Sequence, residues 1–203
     1  DVSSATIDSR LTLVGFDRIS LNGNHVEKAD ERIMLDFSAI AKGYGSDCVA
    51  RVLDSCGVQN YMVEIGGEVV VRGHNRNGNP WGIGINKPID NSLSTNQELQ
   101  TVLRLTDCAI ATSGNYRNFY YKDGVKYAHT IDQRTGYPVQ HSLLSATVIA
   151  DNCMRADALA TACMVLGEQA ALDMIEQTTD AACYLIIADS DTLRVATSQR
   201  WQF

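Results

Sequence analysis

Between Asn152 and Gly167 the chain reads Cys-Met-Arg-Ala-Asp-Ala-Leu-Ala-Thr-Ala-Cys-Met-Val-Leu, an apolar helical segment opened by Asp151 or Asn152 as N-cap and stopped by a glycine. A helix this apolar has to be covered on most of its sides, so the rest of the chain must supply the sheet or helices that cover it. Past Arg155 in its first turn, two polar residues interrupt the cylinder, Asp157 and Thr161. Residues four apart share a helix face, so the carboxylate and the hydroxyl project together. They can form a hard-oxygen corner for Mg²⁺, which takes few protein ligands and fills its octahedron with waters and phosphates. Equally, Asp157 can favour the helix N-terminal half through the macrodipole while Thr161 bonds back to a carbonyl. Spacing alone leaves both open.

The covering elements are read from hydrophobic period. "RISLNG" and "ERIMLDF" suggest two strands around a turn at Asn22-Gly23-Asn24. After Ser38, apolar residues at helical spacing predict a helix over Ala39 to Cys56, ended by Gly57. Gly43 and Gly45 near its start imply close approach of a ligand or tight helix-on-sheet packing. "YMVEI", "EVVVRG", "WGIGIN", "LQTVLRL", "CAIAT" and "SATVIA" follow as strands, the first pair separated by Gly66-Gly67. A second helix, "EQAALDMIEQT", precedes a final strand, "CYLIIA". Strands in the middle with helices bracketing them predict an α+β fold, a mixed and largely antiparallel sheet flanked by helices, in one domain of 203 residues.

Charge and cysteine usage narrow the partners. The net charge is −7 with no run of Lys or Arg, which argues against nucleic acid. An anionic nucleotide would need a metal ion or a few placed cations to offset the same acidity. The six cysteines have no C-x-x-C spacing and most sit among apolar neighbours, which predicts small buried residues rather than a zinc or redox site. No apolar run is long enough to span a bilayer. Phosphate-loop, dinucleotide-fingerprint, zincin and nucleophile-elbow motifs are absent from the sequence.

Two more constellations carry possible chemistry. Thr112-Ser113-Gly114, with Asn115 and Arg117 after it, places hydroxyls and turn amides where phosphate oxygens can be held, or simply forms a structural turn. His129, in "AHTID", is the best general acid or base in the chain, with Asp132 available to orient it; a structural role is the alternative. His25, His74 and His141 lie in turn-like contexts without an assigned role.

"LDFSAIAKGYGSD", "VEIGGEVVVRG", "PWGIGINKP", "IATSGNYRNF", "AHTIDQRTGYPV" and "RADALATACMVLG" occur in this order from about Ile19 to "CYLIIA". In that combination the chain resembles the ApbE family of FAD:protein FMN transferases. The resemblance implies Mg²⁺, with Mn²⁺ or Ca²⁺ as alternatives, held by Asp157, Thr161 and the carbonyl of Ala41. It implies Lys42 near the pyrophosphate, and Gly66, Gly67, Thr112, Ser113, Gly114, Arg117 and Ile131 around FAD. His129 would activate the acceptor, and His129, Asp157 and Lys42 would be the catalytic set. The implied reaction passes FMN from FAD to a Thr or Ser hydroxyl of a target flavoprotein and releases AMP; hydrolysis of FAD to FMN and AMP, or retention of FAD without turnover, are the alternatives. Implied partners are flavoprotein subunits of membrane redox complexes, and the implied location is the periplasm or extracytoplasmic membrane face, as a lipoprotein. Family members usually carry an N-terminal region that also touches the flavin, so residues 1–203 are expected to be an ApbE-like domain lacking that region. Glu64 departs from the family pattern, where a small or neutral polar residue is commoner, and either disturbs flavin placement or faces solvent.

Overall fold

In a computed structural model, the structure describes residues 3–88, 98–115, 119–122, 125–190 and 192–203. Helix α1 (Ser4–Leu11) and the hairpin β1 (Ile19–Asn22) and β2 (His25–Lys28) come first. Asn22 pairs with His25, so the turn is the two residues Gly23 and Asn24, with Gly23 at φ +59°. The second strand is therefore "HVEK" and not "ERIMLDF": a two-residue turn brings the chain back at once, leaving 31–37 to run on outside any strand. Helix α1 was not anticipated from sequence; it buries no residue, so it has no apolar stripe to read.

Helix α2 (Ala41–Ser55) leads to β3 (Tyr61–Ile65) and β4 (Glu68–Arg72), then β5 (Trp81–Asn86) and β6 (Leu99–Leu105). Next are β7 (Cys108–Gly114), the hairpin β8 (Phe119–Lys122) and β9 (Val125–Ala128), and the short pair β10 (Ile131–Asp132) and β11 (Tyr137–Pro138). The chain ends with β12 (Leu143–Ala150), α3 (Cys153–Leu166), α4 (Glu168–Glu176), β13 (Ala181–Asp189) and β14 (Thr192–Thr197). "CYLIIA" is thus followed by one more strand, "TLRVAT". No helix among the described residues is long and apolar enough to cross a membrane.

The central sheet has the order β14-β13-β12-β7-β4-β3, and every neighbouring pair in it is antiparallel. The α+β class with a largely antiparallel sheet is what the structure shows. Period-two alternation divides its residues between two faces. On one face α3 and α4 bury Ala156, Ala160, Cys163, Met164 and Ile175 against Ala146, Val148, Leu185 and Ile187. On the other, the β5–β6 hairpin lays Ile85, Leu103 and Leu105 over Val69, Val71, Ile110 and Ile149. Each fully buried Val, Leu, Ile or Met among these is worth about 1.5–3 kcal/mol. Three cysteines, Cys153, Cys163 and Cys183, are buried as expected of small apolar residues; Cys48 and Cys108 are half-buried and Cys56 is exposed.

Helix α3 is fixed at both ends. Its first three N–H groups have no partner within the helix. Asp47 of α2 accepts from Cys153 N and Met154 N at 2.8 and 2.9 Å, and the Asn152 cap accepts from Arg155 N at 2.9 Å. At the other end Gly167 turns the chain at φ +79°, and His141 Nε2 donates to the Met164 carbonyl at 2.9 Å. The role of His141 is structural. A Cβ on Gly43 would lie 2.3 Å from the Cys153 carbonyl oxygen, so that glycine exists for the α2–α3 crossing rather than for packing on the sheet.

Candidate functional site

Strand β7 runs past the start of β4. Cys108–Ile110 pair with β4, whereas Thr112–Gly114 continue beside β12 alone. Alternation turns Thr112 to the hairpin face, where its Oγ1 lies 2.9 Å from Thr147 Oγ1. Ser113 turns to the helix face, where its Oγ lies 3.1 Å from Thr161 Oγ1. Around this projecting end the surface is concave on both faces. The helix-face lobe, about 580 Å³, is lined by Ser38, Lys42, Ser113, Asp157 and Thr161 among others. The hairpin-face lobe, about 330 Å³, is lined by Met62, Glu64, Gly66, Gly67, Gly82 and Gly84 among others. Thr112, Gly114 and His129 line both, which makes them one groove folded over the strand end.

The floor of the larger lobe is charged and buried. Asp157 is 2% exposed, and its Oδ2 accepts from Gly43 N at 3.0 Å. Helices α2 and α3 thus hold each other's carboxylates, Asp47 at the start of α3 and Asp157 at the start of α2. Thr161 Oγ1 meets Ser113 Oγ across the lobe, and Asp157 stands in the N-terminal half of α3 with its carboxylate turned to α2. Lys42 Nζ lies 2.9 Å from Glu68 Oε1 and 3.7 Å from Asp157 Oδ1. Burial works to lower the Lys42 pKa, but the hydrogen bond and charge of Glu68, with Asp157 behind, outweigh it and raise it above the ordinary range. Lys42 is an ammonium at any physiological pH. Burial pushes the Glu68 carboxyl up, and the Lys42 ammonium offsets this only in part.

The donor set fits a hard divalent cation. Among the described residues no three His, Cys, Asp or Glu gather as a metal cage. Mg²⁺ does not need one, because one carboxylate with phosphate and water oxygens suffices. The buried Asp157 carboxylate beside the Thr161 and Ser113 hydroxyls is such a corner.

The other sequence-selected residues fall around the groove. Ala41 opens α2 immediately before Lys42. Gly66 and Gly67, at φ +62° and +100°, form the two-residue β3–β4 turn, a conformation side-chain-bearing residues avoid. Ile131, half-exposed in β10, lines the larger lobe. His129 is exposed on the rim of both lobes. Asp132, offered as its orienting partner, is instead held by Arg134, whose Nη2 and Nε donate to it at 2.8 and 3.0 Å; two residues apart, they close on each other across a tight turn. Arg117 lies outside the described residues. Glu64 is exposed and lines the smaller lobe, so it both meets solvent and borders the groove.

One residue, Glu68, escaped the sequence reading, as did one contact, made by Asn115. Glu68 is 2% exposed under Lys42; its signal was a carboxylate opening the apolar run Val69-Val70-Val71, a buried charge that must have a partner. Asn115, also buried, accepts from Thr130 Oγ1 at 2.6 Å and so ties down the segment that carries His129. Nothing local in the sequence marks that contact.

Comparison with known proteins places this geometry. The model of the ApbE family matches residues 1–185. An FAD:protein FMN transferase of Vibrio cholerae is 40% identical over 192 residues, covering 95% of this chain and 56% of that protein. One of Haemophilus influenzae is 43% identical over 182 residues, covering 88% of this chain and 51% of its own. The chain therefore spans about half the length of the curated relatives it matches. Among solved structures, the flavin transferase ApbE from Vibrio cholerae superposes with a TM-score of 0.85 at 38% identity, over 97% of this chain and 61% of that one. An ApbE protein of Thermotoga maritima gives 0.82 at 27% identity, over 97% and 62%.

Proposed function

The chain belongs to the ApbE family, and from that premise we propose that it transfers FMN from FAD to a Thr or Ser hydroxyl of a protein acceptor, releasing AMP. The observation that carries this reading is the buried Asp157, bonded to Gly43 and flanked by Thr161, Ser113 and Lys42, on the floor of a groove with a second, glycine-walled lobe. Charge for a pyrophosphate is concentrated in one lobe; the other, walled in part by glycines, has room for a ring.

In this reading the pyrophosphate of FAD lies over the larger lobe, with the Lys42 ammonium beside it. Asp157 and Thr161, with the Ala41 carbonyl, would hold a divalent cation, which when bound would neutralise phosphate charge and align the bond to be broken. The acceptor hydroxyl attacks the phosphorus on the FMN side, its proton passes to His129, and the bond to the AMP phosphate breaks. The work is alignment and charge neutralisation rather than covalent catalysis by the protein. Thr112, Ser113 and Gly114 supply hydroxyls and an accessible backbone at the strand end between the lobes. The family resemblance further supports a lipoprotein on an extracytoplasmic membrane face and acceptors among subunits of membrane redox complexes; fractionation of the source cells tests the former.

The experiment is incubation of the chain with FAD, Mg²⁺ and an acceptor peptide, read by intact-mass spectrometry. Covalent FMN on the peptide with AMP in the supernatant is expected. AMP without peptide modification indicates hydrolysis instead, and bound FAD with neither product indicates a binding protein.

A further inference from the structure

Glu68 has no part in the chemistry just described, yet it is as deeply buried as Asp157, each 2% exposed. A single ammonium stands between these two carboxylates, and it leans on Glu68: 2.9 Å to Glu68 Oε1 against 3.7 Å to Asp157 Oδ1. The second Glu68 oxygen, Oε2, is buried without a hydrogen-bond partner among the described residues.

The carboxylate is the fixed member of the pair. Strand alternation sets Glu68 on the helix face with Val70, and its backbone carbonyl accepts from the buried Ser46 hydroxyl at 2.9 Å. Gly66 leaves the pair its room, since a Cβ there would lie 3.0 Å from Lys42 Cδ and 3.6 Å from Glu68 Oε2. Lys42 is the movable member, a flexible stem carrying a compact charge, with its side chain 44% exposed. Moved fully onto Asp157, that ammonium would occupy the oxygens a divalent cation requires, because charge-assisted bonds to a buried carboxylate are strong.

We propose that Glu68 is a positioning residue: it holds the Lys42 ammonium off Asp157, so that the Asp157–Thr161 corner stays open to a divalent cation while the same ammonium remains beside the phosphates. The proposal rests on the reading that this corner takes such a cation.

The test titrates Mn²⁺ into the chain with saturating ADP, which offers a pyrophosphate but no flavin to transfer, and follows free Mn²⁺ by electron paramagnetic resonance. Circular dichroism checks each variant's fold. Glu68→Gln preserves shape and removes the charge, and Mn²⁺ affinity is expected to fall about tenfold, the scale of one charge-assisted hydrogen bond. In Glu68→Gln/Lys42→Met the competing ammonium is gone and affinity returns to that of the wild type. Unchanged affinity in Glu68→Gln overturns the proposal. So does a loss that persists in the double variant, which would make Glu68 a ligand. Should Glu68→Gln fail to fold, the double variant decides alone: it must bind Mn²⁺ as tightly as the wild type, and weaker binding overturns the proposal. Asp157→Ala separates the premises. If it binds Mn²⁺ like the wild type, the cation reading fails and the proposal with it; if it loses binding while Glu68→Gln does not, only the role of Glu68 fails.

Discussion

The two lobes of the groove meet at the end of β7, and they are built by opposite means. The helix-face lobe is made of side chains that are present and held: Asp157 by Gly43, Lys42 by Glu68, Thr161 by Ser113. The hairpin-face lobe is walled in part by glycines, Gly66, Gly67, Gly82 and Gly84, beside the uncharged Met62, Ile83 and Asn86. Chemistry on a phosphate requires charge fixed in place, and in a buried setting each charge has to be paired or bonded. Seating a flat ring requires only that nothing protrude. A substitution in the first lobe should therefore damage turnover, and one in the second should damage binding.

The largest expected effect is at Asp157. Asp157→Ala removes the only carboxylate facing the proposed cation corner among the described residues lining the larger lobe, and turnover should fall on the order of a thousandfold, the upper end of the loss typical of one preorganised polar group. Retained AMP production in a folded variant would remove the distinction between the lobes. Next is the frame that carries the first lobe. Gly43→Ala drives a methyl into the Cys153 backbone, 2.3 Å from its carbonyl oxygen, where no flexible side chain can yield. A loss of about 3 kcal/mol in urea unfolding is expected, at the upper end of overpacking costs. An unfolding midpoint unchanged from the wild type would mean that the helices are free to part.

These two effects also mark what the sequence could disclose. The polar pair in an apolar helix, the glycines of the β3–β4 turn and most central strands were readable because each has a local signature, whether a period of 3.6 or 2 or a turn needing positive φ. The reciprocal hold of α2 and α3 was not readable: Gly43 and Asp157 are bonded across 114 residues of chain, and Asp47 caps a helix 106 residues away. Pairing Asp132 with His129, three residues away, overlooked the cation nearer in sequence: Arg134, two residues off, holds that carboxylate. Strand β14 was passed over although Leu193 and Val195 alternate with Thr192 and Arg194; the run is short, and as the outer strand of the sheet it leaves Thr192, Leu193, Arg194, Val195 and Thr197 exposed.

Smaller effects sharpen the second lobe. Gly67 takes φ +100° with nothing within 4 Å of a Cβ placed there. Gly67→Ala should cost about 1–2 kcal/mol of stability from backbone strain, and raise the KM for FAD more than it lowers kcat. A kcat loss with unchanged KM would assign this lobe to the chemistry. The smallest effect is at Glu64, an exposed carboxylate bordering a groove proposed to take an anion. Glu64→Gln should tighten FAD binding by about two- to threefold at low salt, and the gain should vanish near 1 M salt, where screening reaches within roughly 3 Å. Weaker binding would show instead that the carboxylate accepts a hydrogen bond from the ligand.

The central claim is that the corner between Asp157 and Thr161 takes the divalent cation that serves FAD cleavage. Crystals grown with FAD and Mn²⁺, with anomalous scattering recorded at the manganese edge, test it directly. A peak in coordination contact with the Asp157 carboxylate and the Thr161 hydroxyl, at the foot of the FAD pyrophosphate, is the predicted result. FAD bound in the groove with the manganese elsewhere, or with none, would contradict it.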